Sequence, residues 1–155
     1  MNEALFTYKR KSHIEIGKIY FWTTTINQWQ QLLREEAYKK VIINSLEYLS
    51  NAEKVNVFAF VIMPNHVHLA ARALNDHQIE DVLKSWKGYT ARVINESLGR
   101  KGQLWQEDSW NRIIRDDGHW LKVMRYIVNN PTKAHLRENE FSAWFAERTL
   151  VRSEE

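Results

Sequence analysis

Two histidines one residue apart are the first feature of this chain that can do chemistry. His66 and His68 open HVHLAARAL, a run of apolar and β-favouring residues. In a strand, side chains alternate between faces, so both imidazoles project from the same side. Their Cα atoms then lie ~6.5–7 Å apart, which lets two rings converge on one divalent ion. Ala70 continues that face with a small side chain, while Val67, Leu69 and Ala71 point the other way, toward a core. A bare His-x-His is a weak signal, because strand histidines on a polar sheet face are commoner than ligands. This one is strengthened by its bulky apolar spacer and by the aliphatic run and tight turn before it.

The second feature is a tyrosine on a helix. Asp116-Asp117-Gly118 opens a helix predicted to run through about Asn129, where Pro131 stops it. Trp120, Leu121, Met124, Ile127 and Val128 form its core-facing stripe. Lys122, Tyr126 and Asn130, spaced four apart, line up on another face. There Tyr126 offers a nucleophile for phosphorus, Asn130 a carbonyl oxygen for a metal, and Lys122 a cation for phosphate. Alone, this face also fits a surface tyrosine with Asn130 closing the helix, and the histidine pair tips the reading. Tyr89, in KSWKGYTARVIN, is the rival nucleophile.

The elements that must position these residues follow from hydrophobic periodicity. KIYFWTTTINQW, after Gly17, reads as a strand, and REEAYKKVIINSLEYLSNA as an amphipathic helix with Val41, Ile42, Leu46 and Leu49 inward. Residues 55–63 are continuously apolar, which predicts a strand buried on both faces. Met63-Pro64-Asn65 turns it into the histidine strand, forming a hairpin. A helix from about His77 to Leu98, ended by Gly99 and Gly102, and a strand in SWNRIIRD complete the order β-α-β-β-α-β-α. The fold class is α+β: a ferredoxin-like β-α-β-β-α-β antiparallel sheet with an added C-terminal helix carrying the tyrosine. Residues 1–155 are expected to be one domain, with a polar arm over 1–16 and a tail over 138–155 in which FSAWFAERTL forms a short packing helix.

Composition narrows the function classes. There is no Cys, which excludes disulfides, thiolate zinc sites and a cysteine nucleophile and fits the cytoplasm. No apolar run approaches the ~20 residues that span a bilayer, so no membrane partner is expected. The net charge of +3 is unevenly spread. From Lys84 to Arg137 there are 11 Lys/Arg against 5 Asp/Glu, so the excess sits in the second half and suits a polyanion. Lys84, Lys87, Arg92, Arg112, Arg115, Lys122 and Arg125 are the candidate backbone contacts. Trp86, Trp105, Trp110 and Trp120 lie in the same half, where bases could stack on them, although core packing is the commoner use.

VIMPNHVHL, residues 61–69, closely resembles the histidine-hydrophobe-histidine block of the REP-associated tyrosine transposases, relatives of the single-strand transposases of small insertion sequences. RYIVNNPTKA, residues 125–134, resembles their tyrosine motif, Tyr-Ile-x-x-Asn-Pro-x-x-Ala, and GQLWQEDSWNRIIRDD resembles the segment before it. The likeness spans roughly residues 17–137. It implies that His66 and His68 bind the metal, that Tyr126 is the nucleophile of a single-tyrosine HUH nuclease, and that Asn130 is the third ligand. It also implies a substrate of single-stranded DNA near imperfect palindromes, cut to leave a 5′-phosphotyrosine and a free 3′-hydroxyl. The chain departs from the family where YFWTTTINQW replaces a Gly-rich, Arg-containing segment, so DNA sequence preference does not carry over.

The expected cofactor is Mg2+ or Mn2+. The target sequence and the choice between monomer and homodimer are not legible, nor is a general base for Tyr126. Two other readings stay open on residues alone. One is a non-catalytic single-strand binder, and the other a small metal hydrolase that activates water.

Overall fold

The structure is a computed structural model and describes residues 18–146. The arm expected over residues 1–16 and the end of the tail, 147–155, lie outside the described residues. Five strands form one antiparallel sheet: β1 (Tyr20–Thr25), β2 (Val55–Ile62), β3 (His66–Ala73), β4 (Trp110–Ile113) and β5 (Ser142–Phe145), in the order β4-β1-β3-β2-β5. The helices are α1 (Glu36–Asn51), α2 (Ile79–Leu98) and α3 (Asp117–Lys133). The first four strands with α1 and α2 are the ferredoxin-like arrangement that periodicity predicts.

Both sheet faces are covered, which is why β2 and β3 are almost wholly buried. Ile42, Leu46 and Leu49 of α1 and Val82, Leu83 and Trp86 of α2 pack with Val57, Phe60, Val67 and Leu69 on one face. Trp120, Val123, Met124 and Ile127 of α3 pack with Phe21, Phe58, Val61 and Ala70 on the other. A β-bulge between Val57 and Ala59 sets which side chains reach α3. It places Phe58 and Ala59 consecutively on that face, and Phe58 meets the Trp120 ring edge-on at 5.3 Å.

Four expectations are corrected. β1 ends at Thr25, and residues 27–29 form a 3-10 turn with Gln28 and Trp29 at positive φ (59° and 53°), which no strand sustains. The buried stripe of α3 is Trp120, Val123, Met124, Ile127 and Pro131, with Leu121 and Val128 half-buried beside it. Pro131 lies inside α3, which continues to Lys133. So near the C-terminus its missing N–H forfeits a single helical bond. The helix stops because His135 turns to φ 55°, with its N–H bonded to the Thr132 carbonyl and that of Leu136 to Pro131.

The fourth correction is the tail. Ser142–Phe145 is a strand paired with β2, where a packing helix was expected. Its alternation explains this. Trp144 stacks on Phe60 at 6.3 Å on the α1/α2 face, while Ala143 and Phe145 pack on the α3 side. Among the described residues no helix is long and apolar enough to cross a membrane.

Candidate functional site

The site is built on the face of the sheet that α3 covers. Cross-strand register aligns Val61, His68, Thr23 and Trp110 in one row over β2, β3, β1 and β4. The next row is Ala59, Ala70, Phe21 and Arg112. Ala59 and Ala70 are fully buried and small, so α3 can lie close over the middle of the sheet. His66 starts β3 directly after the Met63-Pro64-Asn65 turn. Two backbone bonds fix that turn to the loop after β1: Ile26 N–H to Asn65 O (2.8 Å) and Leu33 N–H to Pro64 O (2.9 Å).

The histidine rings are edge-to-face with centroids 4.7 Å apart. Asn65 Oδ1, an acceptor, lies 2.6 Å from His66 Nδ1 and therefore takes its proton, leaving Nε2 as the unprotonated nitrogen. His68 Nδ1 lies 2.7 Å from Thr23 Oγ1. His68 Nε2 is buried with no hydrogen-bond partner. An orphaned N–H there would be costlier than a bare lone pair, which favours Nδ1–H donating to Thr23. Trp120 Nε1 is the other such atom among the described residues, and it sits in the core.

Burial pushes His68 down to about 3, with the neighbouring His66 adding to the effect. His66 is also lowered by burial, partly offset by its side-chain hydrogen bond with Asn130. Both rings are thus held neutral, the form that ligates metal. The donor set fits a divalent ion: two unprotonated imidazole nitrogens, one of them orphaned, with the Asn130 amide beside them. Among the described residues no three of His, Cys, Asp and Glu converge on a metal-sized space.

Tyr126 completes the cluster from α3. Its ring meets His68 edge-on at 5.1 Å and Phe21 at 5.9 Å, while Phe21 stacks on His68 at 5.5 Å. Tyr126 remains 44% exposed, so a reagent from solvent can reach it. A cavity of about 500 Å3 opens beside it. Phe21, Thr23 and His68 form its floor, Trp110 and Arg112 its β4 wall, and His119, Lys122 and Tyr126 its α3 wall.

Lys122, Arg112, Tyr126, His66, His68 and Asn130 are therefore brought together. Arg125 and Arg115 are exposed nearby in the chain without lining the cavity. Lys84, Lys87 and Arg92 are on α2, across the sheet. Lys87 is tied down there by the Gln106 and Glu107 carbonyls and Ser109 Oγ, and burial lowers its pKa. Arg92 lies 5.7 Å over the ring of the rival nucleophile Tyr89, which is likewise far from the histidines on α2. Trp86 and Trp105 stack on each other in the core and Trp120 is buried, leaving Trp110 as the exposed one of the four. Sequence reasoning missed Phe21, Thr23, Asn65 and His119. The i, i+2 spacing of Phe21 and Thr23 marks a shared face, but only strand pairing reveals that it adjoins His68.

The architecture is an α+β domain in which a tyrosine-bearing helix lies over a strand histidine pair. The family model described as Transposase IS200 like matches residues 18–130, and the chain belongs to that family. Among solved structures it is similar to a REP-associated tyrosine transposase bound to a REP hairpin, with a TM-score of 0.63 and 20% identity over 86% of this chain and 77% of that one. It is also similar to a protein of Deinococcus radiodurans R1 described as a transposase, with a TM-score of 0.55 and 21% identity over 79% of this chain and 97% of that one. No curated protein matches the chain in sequence.

Proposed function

We propose that the chain is a metal-dependent endonuclease and strand transferase for single-stranded DNA near hairpins, with Tyr126 as nucleophile and His66, His68 and Asn130 as metal ligands. The observation that carries this reading is the placement of an accessible tyrosine 5.1 Å, ring to ring, from a buried imidazole whose Nε2 has no partner. The hairpin bound to the similar solved structure supports the choice of DNA.

A divalent ion, Mg2+ or Mn2+, would supply neutralisation of a nonbridging phosphate oxygen and stabilise the leaving oxygen. The chain does the rest. Tyr126 Oη attacks the phosphorus, the Oη–P bond forms and the P–O3′ bond breaks. The phenolic proton leaves Oη, and the departing O3′ takes up a proton to become a 3′-hydroxyl. The 5′-phosphotyrosine conserves the bond, so a second 3′-hydroxyl can reverse the step and rejoin strands without ATP. Phe21 and Thr23 hold the His68 ring, and Arg112 and Lys122 attract the DNA backbone.

The test is incubation with a labelled single-stranded hairpin from the flanks of its own gene and Mn2+, run on a denaturing gel that preserves protein–DNA adducts. The expected result is an adduct with the parent and none with Tyr126→Phe. Undiminished cleavage by Tyr126→Phe would point to a hydrolase that activates water. No adduct, with metal and DNA both shown to bind, would point to a non-catalytic binder.

A further inference from the structure

We propose that the cavity between β4 and α3 is a subsite for one unpaired nucleotide beside the scissile phosphate, its base stacked on Trp110 and its phosphate held by Arg112, His119 and Lys122. This rests on the single-strand reading above and deepens it.

Trp110 is 52% exposed on a short edge strand. It is nevertheless fixed, with its ring edge-on to Phe21 at 5.4 Å. An indole held in orientation but left open on a face is how single-strand binders stack bases. A base inside a duplex has both faces covered by its neighbours, so the occupant must be unpaired. At about 500 Å3 the cavity falls within the ~300–1,000 Å3 of small-ligand pockets.

Charge selects the same occupant. Arg112 and Lys122 line opposite walls, and among the described residues no carboxylate lines the cavity. His119 adds a donor. The Arg115 backbone N–H donates to its Nδ1 at 3.3 Å, so the neutral ring carries its proton on Nε2. That makes His119 a hydrogen-bond donor to an anion and leaves it no free nitrogen with which to serve as a base for Tyr126. His68 and Tyr126 line the same cavity, which places the occupant next to the bond to be cut.

The experiment uses Tyr126→Phe, which keeps the DNA uncut, with Mn2+ and fluorescein-labelled hairpins carrying single-stranded flanks. Each flank position in turn is made abasic, and affinity is read by anisotropy. One position is expected to lose about 10-fold when its base is removed, in the range of a stacked base. Adding Trp110→Ala should cost the same factor and reduce that position's sensitivity below about 2-fold, while Trp110→Phe retains most of the affinity. Arg112→Ala should lower the salt dependence of binding by about one counterion. An abasic profile unchanged by Trp110→Ala, or no single-strand binding at all, overturns the subsite. If the profile behaves as expected but the parent forms no adduct, the subsite stands and the nuclease reading falls. An adduct without any dependence on Trp110 is the reverse.

Discussion

The Tyr126 ring stands edge-on to the His68 ring, centroids 5.1 Å apart and planes at 74°, and both belong to one chain. Helix α3 rests on its own sheet, so Tyr126 and His68 meet without a second copy. We therefore expect a single chain to act alone. Mixing separately inactive Tyr126→Phe and His68→Ala proteins should restore no adduct, and the parent's rate should rise linearly with its concentration. Recovery on mixing would mean that two chains exchange this helix.

Stability should depend on pH through His68. Its folded pKa of about 3 lies below the ordinary 6.5. Above 6.5 neither state is protonated and the fold is at full stability. Below 6.5 the unfolded chain takes up a proton that the folded one refuses, so stability falls until about pH 3. At 1.36 kcal/mol per unit, the loss at pH 5 is ~2 kcal/mol from this residue. Urea midpoints in EDTA at pH 7.5 and 5.0 measure it, and His68→Gln should shrink the difference. An equal pH effect in that variant would mean that other groups are responsible.

Thr23→Val should weaken Mn2+ binding by roughly 10- to 100-fold, the usual cost of losing the partner that orients a ligating histidine. Valine suits a strand, so the fold should persist, and Thr23→Ser should keep the affinity. Titration calorimetry with Mn2+ reads this directly. Unchanged affinity for the valine variant would mean that Phe21 stacking alone orients the ring.

Lys39 is 1% exposed, with its Nζ donating to the Asn139 carbonyl and 3.4 Å from the Glu36 carboxylate. It joins α1 to the segment leading into β5, beside the Arg34–Glu140 pair at 2.9 Å. Lys39→Ala should cost ~2–4 kcal/mol, from lost stem packing and an orphaned carbonyl. Lys39→Met, which keeps the stem, should cost ~1–2 kcal/mol. Urea unfolding distinguishes them, and equal losses would assign the effect to the ammonium alone.

What could be read from the sequence was what depends on local period. The alternation around His66 and His68 placed both rings on one face, and the four-residue spacing of Lys122, Tyr126 and Asn130 aligned them on α3. What could not be read depends on pairing between distant segments. Thr23 meets His68 across 45 residues, and no spacing encodes that. The Phe58 bulge is a shift in register, invisible in a run where every residue is apolar. β5 was missed because four residues of SAWF are too short for their alternation to stand out, and Pro131 was over-read because its cost depends on distance from the helix end.

The cis docking of α3 also orders events during synthesis. The chain is made from the N-terminus, so the two histidines leave the ribosome well before the helix that bears Tyr126. Until α3 has emerged and settled on β2 and β3, the nascent polypeptide holds the histidine hairpin without Tyr126. On the proposed function, an unfinished or truncated product could not join itself to DNA, and that chemistry would become available only to a chain that has completed its fold.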